Sequence, residues 1–449
     1  MSKHFRPWKM DQPQLLPADV REYVAKTHMA RFIVSLVVES LDLEDINAAH
    51  PSVLGQPPFD PRLMTALLLH AYASGIYASR RIQKACEERV DFMMIVAQDV
   101  PDFRTISEFR RRHLKALEGL FVQVLELAEK AGLVKLGHVA LDGTKIKANA
   151  SKHKAMSYER MKKREVELQA EVARLLAAAE AADTADDAEY GKTKRGDELP
   201  AWVADKDKRL AKIRAAKAEL EAEAKAMAEE EKRRRAEADA KREAEGRKRP
   251  GKEPAPVSEE PDGKAQKNFT DPQSRIMKGK DGFVQAYNAQ AYNAQAAVDA
   301  GHQIIVNHDV VQTPADQGQL LTMVDGIEAN LGRKPDQVSA DNGYCSEANI
   351  VALDERKIDA YIAPGRAKHP TKDNGKVGGP KTQAMRKKID DGGFETPYRL
   401  RKQVVEPVFG QIKQARGFRQ FLLRGVEKVR SEWALVCTAH NLTKLARAS

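Results

Sequence analysis

The spacing of apolar residues changes character along the chain. Between residues 60 and 130 it is helical. Leu63, Leu67, Leu68 and Ala71 recur on one face, which predicts helices over Asp60–Glu88 and Ile106–Lys130. Thr105, with Glu108 three residues on, predicts a capping box at the start of the second. Around residue 137, and again from residue 282, the pattern shifts to short apolar runs between turn residues, which predicts strands. Gly137–Leu141 is such a run and ends in Asp142. Gly282–Val298 and Gln303–Gln312 are strand-rich, and His302–Val311 is the clearest strand of all. Gln337–Ala340 ends in Asp341, and Tyr361–Ala363 is the last strand. Helices are predicted over Asp316–Leu331, over Glu347–Lys357 and in a C-terminal segment carrying Glu406. Three strands followed by alternating helices and strands predict a mixed α/β sheet covered by helices.

Residues 152–268 follow neither pattern. They hold 29 basic and 27 acidic side chains. Met156–Ala182 and Ala201–Glu245 are rich in strong helix formers. Asp183–Pro200 between them reads as a turn, so two antiparallel helices are predicted. Leu168, Val172, Leu175 and Leu176 stripe the first, and Leu210, Ile213 and Leu220 the second. Arg247–Lys267, with Pro250, Pro254, Pro256 and Pro261, reads as a disordered linker.

The net charge of the 449 residues is +10, and residues 398–449 contribute most of it, with 11 basic and 3 acidic side chains. Val404, Phe409, Phe418, Phe421 and Trp433 interleave with those charges, so the basic end is predicted to fold. A net positive charge suits an anionic partner without identifying it. Arg110, Arg111 and Arg112 form a second basic cluster, which fits a DNA-reading face or a solvated one. Cys86, Cys345 and Cys437 make no CxxC pair. That excludes a disulfide scaffold and a four-cysteine zinc site and suits a reducing compartment. Apolar stretches are too short to span a bilayer and the N-terminus lacks a signal core, so a soluble intracellular protein is expected. The P-loop glycine before Lys381 is missing, and no HExxH occurs.

Asp142 and Asp341 carry the candidate chemistry. In open α/β sheets ligands gather beyond the carboxyl ends of strands, where both aspartates lie. A lone strand-end aspartate is commonly a turn former. Two of them with a helical glutamate point to hard divalent cations, which take oxygen ligands. Three carboxylates can hold two ions about 3.5–4 Å apart, the arrangement that clamps attacking and leaving oxygens in phosphodiester chemistry. On a continuous helix Arg399, Lys402, Glu406 and Lys413 share one face. Pro407 interrupts that argument, since proline removes a helical hydrogen bond. A surface salt-bridge ladder is the alternative reading of this face.

Several strings in order, VALDGTKIKANASKHKAMSYERM, DPQSRIMKGKDGFVQAYNAQ, VSADNGYCSE and YRLRKQVVEPVFGQIKQARGFRQFLLRG, resemble bacterial insertion-sequence transposases of the DDE type. SRRIQKACEERVDF and PDFRTISEFRRRH resemble the helical N-terminal part of the same elements. The resemblance implies an α/β ribonuclease H-like catalytic domain, a mixed sheet flanked by helices, over 133–151 and 269–449. It implies an all-α DNA-binding domain over 1–132 and a charged helical-hairpin insertion with its linker over 152–268. Asp142, Asp341 and Glu406 match the metal-binding catalytic triad, with two Mg²⁺ ions as cofactor and Mn²⁺ as a substitute. Lys413, Lys402, Arg401, Arg399, Tyr398 and Arg416, with Arg110, Arg111 and Arg112, are the expected DNA contacts. The implied partners are double-stranded DNA, as element inverted repeats and target, and a second copy of the chain. The implied location is the bacterial cytoplasm at the nucleoid. The family motif around its glutamate departs here: Arg401 lies five residues before Glu406, whereas Lys402 has the family's arginine spacing. Glu406 and Lys413 keep theirs. A non-catalytic DNA-binding protein with a coiled-coil arm, a nuclease that cuts without joining, and a disabled transposase copy are the alternatives.

Ala286–Gln290 (AYNAQ) is repeated at once as Ala291–Gln295, where the family pattern has one copy. Five extra residues in a strand would turn its side chains to the opposite face, so a local irregularity is expected, absorbed as a bulge or an enlarged turn. A variant lacking one repeat is predicted to cleave DNA faster than the natural chain. Equal activity and equal Tm in the two forms would show that the repeat is harmless.

Overall fold

The computed structural model of the chain describes residues 19–49, 58–150, 155–190, 201–244, 255–269, 274–279, 282–287, 293–311, 318–364, 379–393 and 396–448. They fall into two compact units, Met1–Ile146 with Gln290–Ser449, and Lys147–Ala289.

The first unit begins with helices α1 (Met29–Glu39), α2 (Glu44–Ala48), α3 (Pro61–Ala73), α4 (Ser79–Glu88), α5 (Val90–Ile95), α6 (Phe103–Arg112) and α7 (Leu114–Lys130). The helix expected over Asp60–Glu88 is thus two. Gly75 lies between them at φ +76°, a conformation glycine takes without steric cost, and a Cβ there would stand 2.7 Å from the Arg416 carbonyl oxygen. The helix expected from Ile106 starts earlier, at Phe103. Its cap is Asp102, whose carboxylate accepts from the Arg104 N–H at 2.8 Å, so Thr105 is already inside the helix.

Strand β1 (His138–Lys145) follows, and the chain then passes into the second unit. That unit holds β2 (Ala155–Ser157), α8 (Tyr158–Tyr190), α9 (Ala201–Ala244), β3 (Gln266–Asn268), β4 (Ser274–Gly279) and β5 (Gly282–Tyr287). Tyr158 bonds Glu221, Glu165 bonds Arg214 and Lys217, and Lys206 pairs with Glu171. The partners move backward along α9 as α8 advances, so the two helices are antiparallel. Met161, Leu168, Leu210, Ile213 and Leu220 form their shared core. The expectation of a disordered linker up to Lys267 is corrected over 255–267. Gln266–Asn268 pairs with Ala155–Ser157. Lys267 is buried and bonds Glu219 and Glu223, and the Tyr158 N–H donates to the Ala265 carbonyl at 2.7 Å. Backbone pairing and a buried ion pair outweigh the local prolines. Residues 245–254 lie outside the described residues.

Back in the first unit come β6 (Asn293–Asp299), β7 (Ile305–Val310), α10 (Gln319–Leu331), β8 (Gln337–Ala340), α11 (Glu347–Glu355), β9 (Asp359–Ile362), α12 (Pro380–Asp391), α13 (Pro397–Gly410), a π turn (Gln411–Ala415) and α14 (Val426–Ala448). The sheet order is β7-β6-β1-β8-β9. β6 and β7 run antiparallel to their neighbours, and β8 and β9 are parallel to β1. A mixed sheet of this kind, flanked by helices, fits a ribonuclease H-like fold. The junction of the AYNAQ repeat, 288–292, lies outside the described residues. Beyond it β6 pairs with β1 in unbroken register from Asn293 to Asp299. The register shift that does occur is between β6 and β7 at Ala297/Val298, past the repeat.

Helix α14 is buried almost all round, from Val429 through Leu442. It packs on β7 and on α7, α3 and α1. Asn441 accepts from the Ile305 N–H at 2.9 Å and donates to the Ile305 carbonyl at 2.8 Å, and His440 meets the Gln303 carbonyl at 2.9 Å. Edge-strand groups of β7 are thereby satisfied by a helix instead of another strand. Among the described residues no helix is long and apolar enough to cross a membrane.

Glu432 on α14 is fully buried. It accepts from the backbone N–H groups of Leu422 and Leu423 at 3.0–3.1 Å. Burial pushes its carboxyl up to about 7, from an ordinary value of 4.5. Between those values the native state keeps a proton that the unfolded chain has released, so the contribution of Glu432 to stability falls as pH rises through that window. Denaturant unfolding of Glu432→Gln is predicted to lose less stability than the natural chain between about pH 5 and about pH 8. Identical slopes would place the pH dependence elsewhere.

Candidate active site

The register of β1 against β8 builds the site. Val139 pairs with Val338 and Ala140 with Ser339. The same offset, carried two residues further, sets Asp142 opposite Asp341. Neighbouring strands lie about 4.8 Å apart, and the two carboxylates feel each other electrostatically. Asp341 follows the last residue of β8 and caps the turn Asn342–Tyr344, its Oδ1 accepting from the Gly343 N–H at 2.9 Å. In Asp142, Oδ1 accepts from the Gly143 N–H at 2.8 Å, and Oδ2 accepts from Arg401 Nη1. Burial raises the Asp142 carboxyl above its ordinary value. The Arg401 charge and the Gly143 N–H pull it back, and the Asp341 charge adds to the rise.

Helix α13 lies against β1 and β8, with Arg401, Val404, Val405, Val408 and Phe409 buried. Pro407 does not break it. Proline cannot donate to the carbonyl four residues back, and that carbonyl, of Gln403, accepts from Gln303 Nε2 at 3.2 Å instead. Glu406 is exposed on the side of the helix away from this buried row. After Gly410 the chain widens into the π turn, a geometry that rotates the residues beyond it. Ile412 is buried there, and Lys413 Nζ donates to Thr144 Oγ1 at 3.0 Å and to the Lys145 carbonyl at 3.1 Å. Desolvation lowers the Lys413 ammonium below its ordinary value. The continuous face expected for Arg399, Lys402, Glu406 and Lys413 is therefore interrupted at the π turn.

The other expected DNA contacts divide by burial. Lys402 and Arg399 are exposed and Tyr398 is half-buried. Arg111 and Arg112 are exposed beside Glu108. Arg110 is buried, and donates to Tyr72 Oη, the Tyr77 carbonyl and Ser79 Oγ. Its place in the basic cluster is corrected: its guanidinium is committed to the core. Arg416 is half-buried and donates to Thr443 Oγ1 at 2.9 Å. Arg401 is likewise buried, committed to Asp142 and not free for a phosphate. Nothing in the sequence pattern distinguished these three from solvent-facing arginines, because each is engaged by residues outside its own helical turn or segment.

Asp142 and Asp341 are hard oxygen donors brought side by side, which suits a cation bound by one or two carboxylates. The three-carboxylate cluster is not assembled: among the described residues no three metal-capable side chains converge. Two carboxylates fit, and Glu406 stands outside their reach.

Two comparisons bear on this arrangement. Residues 374–446 match the family described as Transposase DDE domain, a stretch that includes Arg401, Glu406 and Lys413. Residues 18–112 match the family described as Transposase domain (DUF772). No curated protein and no solved structure matches the chain. Each match covers a part of the chain, and the two stretches, in this order on one polypeptide, are both similar to transposase domains.

The Arg401–Asp142 pair is largely shielded from water, with side-chain exposures of 8% and 22%. Removing one partner leaves a charge uncompensated, at a cost of about 3 kcal/mol. Arg401→Met is predicted to destabilise the protein by about that much, and Asp142→Asn in the same chain to restore most of it. Additive losses in this double-mutant cycle would show that the pair contributes nothing jointly.

Proposed function

We propose that this chain binds the terminal inverted repeats of its own insertion sequence, hydrolyses the phosphodiester at the element ends with Mg²⁺, and transfers the freed 3′-hydroxyl to target DNA. The observation that carries this reading is the register that sets Asp142, within β1, opposite Asp341, just past the end of the parallel strand β8, against a helix that lies in the stretch matching a Transposase DDE domain. In this reading Asp142 and Asp341 hold the divalent ion and Glu406 is the third carboxylate. The bound ion supplies Lewis-acid stabilisation of the charge that builds on the phosphoryl oxygens. In the same reading Lys402, Arg399 and Lys413, with Tyr398, are the contacts that hold phosphates and fix the register of the duplex; the exposure of Lys402 and Arg399 supports it. Arg111 and Arg112, on the helical segment 1–132, add a second contact. Water is the nucleophile of the first step and the 3′-hydroxyl that of the second, so no covalent protein intermediate is required. Two ends cut together call for two copies of the chain. The segment 152–268 is read as an insertion carried on the catalytic domain.

One observation favours a disabled copy instead. Arg401 occupies Asp142, and Glu406 does not join the aspartates. A labelled duplex carrying the element's own end separates the two readings. With Mg²⁺ the natural chain is expected to cut it and EDTA to stop the cutting. Asp142→Ala, Asp341→Ala and Glu406→Ala are each expected to lower the rate at least about a hundredfold. Binding without cutting, indifferent to all three substitutions, would leave the disabled copy or a plain DNA-binding protein.

A further inference from the structure

The second unit contains a cleft that the catalytic reading does not use. Its volume is about 380 Å³, and Ala155, Met156, Arg160, Arg209, Lys212, Ile213 and Phe269 line it. That volume lies within the range that holds small organic ligands. The floor is apolar: Ile213 belongs to the core of the helical hairpin, and Met156 and Phe269 pack against that core while staying partly open. The rim is cationic, and no carboxylate is among its described lining residues.

The three cations of the rim are held by no carboxylate, a property they share with Lys163, Lys208 and Lys225 among the described residues, but only these three line the cleft. Elsewhere on the hairpin basic side chains commonly have acidic partners: Arg164 with Glu167, Lys206 with Glu171, Arg214 and Lys217 with Glu165, Lys232 with Glu259, and Lys267 with Glu219 and Glu223. Among the described residues Arg160, Arg209 and Lys212 are exposed and have no such pair. An aromatic face with unpaired cations around it is the chemistry that receives an unpaired nucleotide. The base stacks on the ring while the cations hold the backbone phosphates. A duplex cannot present a base face to such a floor without unstacking it.

We infer that this cleft binds an unpaired nucleotide of a DNA strand, with its base on Phe269 and its phosphates on Arg160, Arg209 and Lys212. The inference rests on the reading of the chain as a DNA-handling protein, but not on the carboxylates. The test uses the full chain and a fluorescein-labelled single-stranded oligonucleotide, with the affinity read by anisotropy over a series of salt concentrations. Replacing Arg160, Arg209 and Lys212 by Ser is expected to weaken binding at least tenfold and to flatten the salt slope by about 2, as for three lost phosphate contacts on a single strand. Replacing Lys163, Lys225 and Arg233 by Ser removes the same charge elsewhere on the hairpin and is expected to cost less than about twofold. Phe269→Ala is expected to weaken binding roughly tenfold with the salt slope unchanged, and Phe269→Trp to restore it. Equal losses in the two charge variants would reduce the cleft to a diffuse field and overturn the inference. So would an unchanged affinity in Phe269→Ala, or a duplex that competes as well as the single strand. These outcomes are independent of Asp142, Asp341 and Glu406. Failed cleavage with intact cleft binding would overturn the transposase reading alone.

Discussion

The parallel register of β1 against β8 is the constraint on which the candidate site depends. Val139 on Val338 and Ala140 on Ser339 make Asp142 and Asp341 neighbours, although 198 residues separate them in the chain. A slip of one residue would send one aspartate to the opposite face of the sheet. The slip is prevented by burial: Val139, Leu141, Val338 and Ala340 are all buried on one face. On the other face His138 bonds Ser339 across the same two strands at 2.8 Å. Register, and not any single loop, thus positions the carboxylates.

Helix α14 transmits that order to the rest of the first unit. A helix apolar all round must be enclosed, and this one carries polar side chains that each find a specific partner. Asn441 and His440 hold the backbone next to and within β7. Ser431 donates to Glu118 on α7 at 2.6 Å, and Glu432 holds the backbone at Leu422 and Leu423. The N-terminal helices therefore pack into the same compact unit as the sheet. Arg110 and Tyr77 are part of that joint, since Tyr77 stacks edge-on against Phe418 and its hydroxyl donates to the Arg416 carbonyl. A basic cluster read from sequence as one surface is in this way divided between core and solvent.

What was legible in the sequence follows from the range of the interactions concerned. Strand β8 was read with its observed bounds because four residues between turn signals carry their own boundary. The antiparallel hairpin of α8 and α9 was legible because helix formers and a turn suffice for it. The cap at Asp102 was missed because Thr105 offered an equally good local pattern, and only packing decides which carboxylate meets an N–H. Gln266–Asn268 was missed because its partner strand lies more than a hundred residues away, beyond any local rule. The pairing of Arg401 with Asp142 was hidden for the same reason. At the level of chemistry Asp341 was legible as a strand end, whereas Asp142 lies inside β1, which runs on to Lys145 because Gly143, Thr144 and Lys145 pair with β6, a strand about 150 residues on. The exposed position of Glu406 was not, since it depends on which side of α13 the core takes.

The insertion point explains how so charged a segment can be carried at all. Lys145 at the end of β1 pairs with Asn293 at the start of β6. The chain therefore leaves the sheet and returns to it at facing positions, as it would in a hairpin. A long excursion between such points adds little closure entropy, because that cost grows only with the logarithm of length. The second unit must then supply its own stability. It does so with the apolar stripe shared by α8 and α9 and with Lys267, a buried cation between Glu219 and Glu223. The duplicated AYNAQ meets the sheet at the same point. Its second copy supplies Asn293, Ala294 and Gln295, which open β6 and pair with Lys145, Thr144 and Gly143 in unbroken register. Directly after the repeat Asp142 pairs with Ala296, so the strand that carries the second copy keeps the aspartate in register.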